Sequence, residues 1–129
     1  MDKLQKARRK QIADEYVHSH RPMGVYQIRN VKNGKVFISS SMNLDGAFNK
    51  EMFVLQIGSH VNKDLQREWN EFGENQFVFE ILEQIKPQEE RVVDPSELNK
   101  YKKLAAELEL KWIEQIQPFN ERGYNKQRV

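Results

Sequence analysis

Val25-Tyr26-Gln27-Ile28-Arg29, then Asn33-Gly34, then Lys35-Val36-Phe37-Ile38-Ser39: this stretch decides the fold. Two runs rich in β-branched and aromatic residues flank an Asn-Gly pair, the strongest short-range signal for a β-hairpin. Taken as a two-residue turn, Asn33-Gly34 puts Asn30 opposite Phe37. Tyr26, Ile28 and Phe37 then share one face of the sheet. Arg21-Pro22-Met23-Gly24 separates the hairpin from what precedes it.

Working outward, Lys3 to His20 contains no Gly or Pro and reads as a helix. Its first half is basic (Lys3, Lys6, Arg8, Arg9, Lys10), and its apolar residues Ile12, Ala13, Tyr16 and Val17 cluster late on one face. Residues 1–22 thus read as a helical extension and 23–129 as the main domain. After the hairpin, Asn43 caps a helix reaching Gly58, although Met52-Phe53-Val54-Leu55 would serve equally as a strand. Asn62 caps a second helix, Lys63 to Phe72, stopped by Gly73. Gln76 to Leu82 is a strand that lines Phe77, Phe79 and Ile81 along one face. A polar linker over 86–95 leads to a long helix capped by Ser96 or Asn99 and closed by Pro118, with Leu104, Leu108 and Trp112 against the sheet. Three strands in this order cannot make a doubly wound parallel sheet. The economical architecture is α+β: a small three-stranded antiparallel or mixed sheet flanked by helices, with an extra N-terminal helix.

Composition narrows the function. The chain of 129 residues is long enough for one domain with a real core, and its 38% hydrophobic and 31% charged content is ordinary for a soluble protein. A net charge of +2 singles out no partner by itself. The absence of cysteine removes disulfides, zinc ribbons and thiol nucleophiles. His18 and His20 lack a third ligand for zinc, and His60 sits in the loop entering the second helix. No segment is apolar enough to span a membrane and the first residues are charged, so the expectation is a cytoplasmic domain without a membrane partner. The oligomeric state stays open.

One residue of the long helix stands out. Glu109 has Ala105, Trp112 and Ile113 as its i−4, i+3 and i+4 neighbours, which places a carboxylate on the apolar side. Such a group must be paired, protonated or bound to a cation.

Several short motifs now fall in order. They are Gly24-Val25-Tyr26; Val36-Phe37-Ile38-Ser39; Asn43-Leu44; His60-Val61-Asn62-Lys63-Asp64-Leu65-Gln66-Arg67-Glu68-Trp69; Phe72-Gly73 through Phe77 to Glu83; and Glu109 through Trp112-Ile113 to Gly123-Tyr124-Asn125. Together, over roughly residues 23–126, the chain resembles the GIY-YIG nuclease superfamily, of intron and phage type.

The resemblance implies cleavage of phosphodiester bonds in DNA with one divalent metal, magnesium or manganese. It implies a tyrosine from the first triplet beside the attacking water, a second tyrosine supporting it, a phosphate-binding arginine, an assisting histidine and a metal-holding glutamate. Carried over position by position, Tyr26, Glu109 and Asn125 are present, and Glu109 is the implied metal ligand. Phe37 replaces the second tyrosine, Ser39 the glycine, Ala47 the arginine and Glu51 the histidine. Alanine cannot offer the bidentate bonds of a guanidinium, and losing one preorganised donor costs about 2.7–4 kcal/mol in the transition state. Lys50, on the helical face of Ala47, is a possible substitute, and Arg29 is a cation on the first strand. The candidate nucleic-acid-binding set is Lys6, Arg8, Arg9, Lys10, Arg29 and Lys50. The sequence reads as an endonuclease-like domain with an impaired catalytic set. The alternatives are a working metal-dependent endonuclease built on Tyr26, Lys50 and Glu109, and a protein-interaction module using the first helix.

Overall fold

The computed structural model describes residues 22–86 and 95–126. The expected N-terminal helix with Lys6, Arg8, Arg9 and Lys10, the two histidines there and most of the 86–95 linker lie outside these residues. The described chain runs β1 (Met23–Asn30), β2 (Val36–Ser41), α1 (Leu44–Ile57), α2 (Lys63–Phe72), a single 3-10 turn (Glu74–Gln76), β3 (Phe77–Ile85) and α3 (Pro95–Ile116). The sheet order is β2-β1-β3, and both pairings are antiparallel, as the α+β expectation has it. Among the described residues no helix is long and apolar enough to cross a membrane.

The caps at Asn43 and Asn62 act as the sequence suggests. Each side-chain oxygen accepts a backbone N–H one turn in, from Gly46 and Leu65 respectively. Residues 44–57 are helix, not strand. Their end is set by Gly58 in the left-handed region, whose N–H reaches the carbonyls of Leu55 and Val54. The long helix departs from expectation: it spans Pro95–Ile116, so Ser96 and Asn99 lie inside it and neither is its cap.

The hairpin also departs, by two residues. Ile28 faces Phe37, and Asn30 N–H bonds Lys35 O, leaving a four-residue loop 31–34 instead of a two-residue turn. The Asn33 side chain explains the longer loop, since it accepts Lys35 N–H and donates to Glu68. A slip of two preserves which face each side chain occupies. Tyr26, Ile28 and Phe37 therefore still share the side covered by α1 and α2, in a cluster with Leu44, Leu55, Leu65, Trp69, Phe77 and Tyr124. Val25, Val36 and Ile38 face the other way, against Leu108, Trp112, Ile113 and Ile116 of α3. Leu104 does not join them. It is 37% exposed, and Ala105, one position on, is the buried residue.

Gly24 explains the first motif's glycine. At φ 151° it occupies backbone space unfavourable to a side chain, and an added Cβ would collide with the carbonyl oxygen of Glu83 on β3. The collision lies beside the bulge between Val25 and Tyr26, where β1 and β3 change register. Gly24→Ala should lower the unfolding free energy by about 2–3 kcal/mol, read as a fall in the urea midpoint. A variant as stable as the wild type would show that β3 can move away freely.

Candidate active site

Edge strand β2 and helix α1 enclose an open cleft of about 370 Å³. Its walls are Tyr26 from β1, Ser39, Ser40 and Ser41 from β2, and Asn43, Gly46, Ala47, Lys50 and Glu51 from the start of α1. Strand alternation and the Asn43 cap build it. Tyr26 and Ser39 are direct cross-strand partners, and the cap aims the first turns of α1 back across them. The first-triplet tyrosine, the serine standing for a glycine, and residues 47, 50 and 51 are thus brought together.

Tyr26 is almost fully buried, and its ring packs edge-on against Phe48. Burial, then the charge of Glu51, push its phenol up to about 12; a hydrogen bond with Ser39 opposes them, and Glu109 adds a smaller push upward. At neutral pH Tyr26 is therefore a phenol that can donate a hydrogen bond, not a base.

Glu109 comes from the other side of the sheet. Ser40 alternates toward α3, and its hydroxyl donates to Glu109 Oε1 at 3.1 Å. Besides that bond, Glu109 acts on Tyr26 through its charge. Among the described residues no group of three or more His, Asp or Glu side chains converges as a metal cage.

The two replacement cations differ. Lys50 lines the cleft and is exposed. Arg29 does not reach it. The arginine projects to the α3 side of β1, where Nε and Nη2 donate to Glu80 at 2.8 and 3.3 Å.

Two features escaped the sequence. His60 is 2% exposed and lies under the cleft, edge-on to Phe37. Its Nδ1 accepts Asn62 N–H, so Nε2 carries the proton and faces Glu51 Oε2 at 3.0 Å. An imidazole thus stands behind the position where the family's histidine is replaced by Glu51. Nothing in the linear order pairs residues 51 and 60 in this way. The second is Glu68 on α2. Its Oε1 accepts from Asn33 at 2.6 Å, Tyr124 at 3.1 Å and Asn30 at 3.4 Å, and its Oε2 from Lys35 at 3.1 Å. This one was findable. Leu65 and Phe72 flank it at i−3 and i+4, the same test that singles out Glu109.

The closing Gly123-Tyr124-Asn125 lies along β2. Asn125 accepts Ile38 N–H and donates to Ile38 O, and Tyr124 N–H reaches Val36 O. A Cβ on Gly123 would meet Pro118 and the Val36 carbonyl at 2.5 Å, so only glycine lets this loop approach the strand.

No protein-family profile matches the chain. Among solved structures it resembles the catalytic domain of homing endonuclease I-TevI, with 32% sequence identity and a TM-score of 0.64, over 82% of this chain and 99% of that one. A mutant form of the catalytic domain of intron endonuclease I-TevI gives a TM-score of 0.63 at 32% identity, over 81% of this chain and 92% of that one. Among curated proteins it is 32% identical over 71 residues to intron-associated endonuclease 1 of Enterobacteria phage T4. That match covers 55% of this chain and 29% of the relative's length.

Proposed function

Because the chain belongs to the GIY-YIG endonuclease family of the I-TevI catalytic domain, we propose that it is an endonuclease-type domain impaired in phosphodiester cleavage that retains the capacity to bind DNA. The observation that carries this reading is the charge of the cleft. Its lining holds one cation, Lys50, against one carboxylate, Glu51, with Glu109 beside them through Ser40. A scissile phosphate entering there meets no guanidinium fork, and Arg29 is turned away and neutralised by Glu80. An ammonium is a single point charge and does not reproduce bidentate phosphate recognition. Burial and the charge of Glu51 favour the protonated phenol at Tyr26 and so make it a poorer base toward water.

Glu109 is the carboxylate that would hold magnesium or manganese, and the ion would neutralise charge on the scissile phosphate. Magnesium commonly binds through one or two carboxylates with waters and substrate phosphates. A lone Glu109 therefore fits a weak site completed by nucleic acid.

The test is incubation with supercoiled plasmid, branched DNA and RNA in magnesium and in manganese. Cleavage near the protein-free background is expected in both. Robust nicking that disappears in Glu109→Ala would instead establish a working site in which Lys50 or another cation has replaced the arginine.

A further inference from the structure

A second cleft opens at the other end of β2. It measures about 290 Å³ and is walled by Lys35, by Asp64 and Arg67 of α2, and by Asn120, Tyr124 and Lys126 of the closing loop, among others. Its ionic character is opposite to that of the first. Lys126 Nζ lies 3.1 Å from Asp64 Oδ2, and Arg67 Nη1 lies 3.2 Å from Asp64 Oδ1. Two cations thus share one carboxylate, leaving one net positive charge. The Lys126 and Arg67 side chains are 76% and 65% exposed. Each spends one N–H on Asp64, so two N–H groups of the lysine and four of the arginine remain open to a ligand. Exposed ion pairs of this kind are worth only about 0–1 kcal/mol, so Asp64 aligns the two cations at little cost to what they offer a phosphate. Lys35 is held in place at the floor, 3.1 Å from Glu68 Oε2 and 5.7 Å above the Tyr124 ring.

The two clefts lie on one side of one strand. Lys35, Phe37 and Ser39 alternate to the face shared with α1 and α2, and Ser39 is already in the wall of the first cleft. Four residues of strand separate Lys35 from Ser39, roughly 13 Å at about 3.3 Å per residue. A phosphate backbone running along β2 therefore passes from the first cleft to the second.

We propose that the Lys35–Arg67–Lys126 cleft is a phosphate-binding site for duplex DNA, gripping the backbone on the same side of β2 as the Tyr26 cleft and about 13 Å along the strand from it. This rests on the reading of the domain as a DNA binder and locates that binding away from the impaired centre. A neutral-to-acidic first cleft cannot supply the counterion-releasing contacts that dominate DNA affinity, and the second cleft can.

The test is fluorescence anisotropy with a labelled DNA duplex across a salt series. The double variant Arg67→Glu/Lys126→Glu is compared with wild type and with the charge-matched Lys102→Glu/Lys103→Glu on the exposed side of α3. The first pair should lose about tenfold or more in affinity and flatten the slope of log affinity against log salt by about 2, at roughly 0.9 per phosphate contact. The control pair should keep the wild-type slope. Arg67→Gln/Lys126→Gln reads the same loss should the glutamate pair fail to fold. Wild-type affinity and slope in the Arg67/Lys126 variants would overturn the site, as would a wild type that binds no DNA. Displacement of DNA by equimolar inorganic phosphate would also overturn it, leaving a small-anion site only. Plasmid nicking on the same preparations separates the two claims. A wild type that cleaves robustly while the double variant still loses affinity ends the impaired-nuclease reading and leaves this site standing.

Discussion

Glu68→Ala is expected to lower the unfolding free energy by about 3 kcal/mol, one of the largest effects available from a single side chain outside the apolar core. The carboxylate is 5% exposed and gathers four donors from two separate parts of the chain, the hairpin and the closing loop. Removing it leaves the fully buried Asn30 amide and the Tyr124 hydroxyl short of a partner, and Lys35 without its counter-charge. Each unsatisfied buried polar group costs about 1–3 kcal/mol. The urea midpoint should fall with the m-value unchanged, because the exposed surface on unfolding is the same. A loss under about 0.5 kcal/mol would mean that water replaces the carboxylate without penalty.

The same residue sets an acid limit. Burial alone would raise the Glu68 carboxyl, but the donors Lys35, Asn33 and Tyr124 outweigh it and hold it below its usual 4.5. Glu80, gripped by Arg29, and Asp64, gripped by Lys126, are lowered too. A group with a lowered folded-state value contributes its stability above the ordinary carboxylate range and loses it as pH falls through the folded value. Thermal stability should thus be flat near neutrality and decline below about pH 4.5, and Glu68→Gln should blunt that decline.

The second large effect is on rate. Phe37→Tyr, Ala47→Arg and Glu51→His combined should raise plasmid nicking about 100- to 1,000-fold over wild type, the scale of one restored transition-state donor. Ala47 lines the cleft, so a longer side chain there can reach the phosphate position. Glu51→His also removes the acceptor facing His60 Nε2, so single changes should do little and the combination should not be additive. The restored activity should vanish when Glu109→Ala is added. A triple variant that nicks no faster than wild type would show that the missing groups are not what limits this domain.

Much of the fold was legible because its signals are local. Asn43 and Asn62 cap helices through bonds spanning three residues, and alternation in β1, β2 and β3 assigns faces whatever the loop length. The hairpin register was not legible. The count depends on Asn33, whose side chain is recruited by Glu68, 35 residues away. Leu104 was misplaced for a similar reason. Helical spacing alone cannot choose between adjacent positions, and the close approach of α3 favours the small Ala105. In the candidate site, Tyr26, Ala47, Lys50 and Glu51 line one cleft, whereas Arg29 was drawn off by Glu80 on a neighbouring strand and His60 was brought in by tertiary packing.

The loop that seals β2 also dictates an order of assembly. Asn30 and Tyr124 touch although they stand 94 positions apart in sequence, and Asn125 closes on Ile38 over a separation of 87. During synthesis the hairpin emerges first, with the outer rim of β2 bare and the Glu68 cluster one member short. Contacts this distant in the chain form late, after their loop-closure entropy has been met. Until residues 118–125 leave the ribosome, the nascent domain presents an unpaired strand to its neighbours, the kind of rim on which other chains add. Its window of vulnerability to misassembly is therefore set by the time needed to translate the long helix.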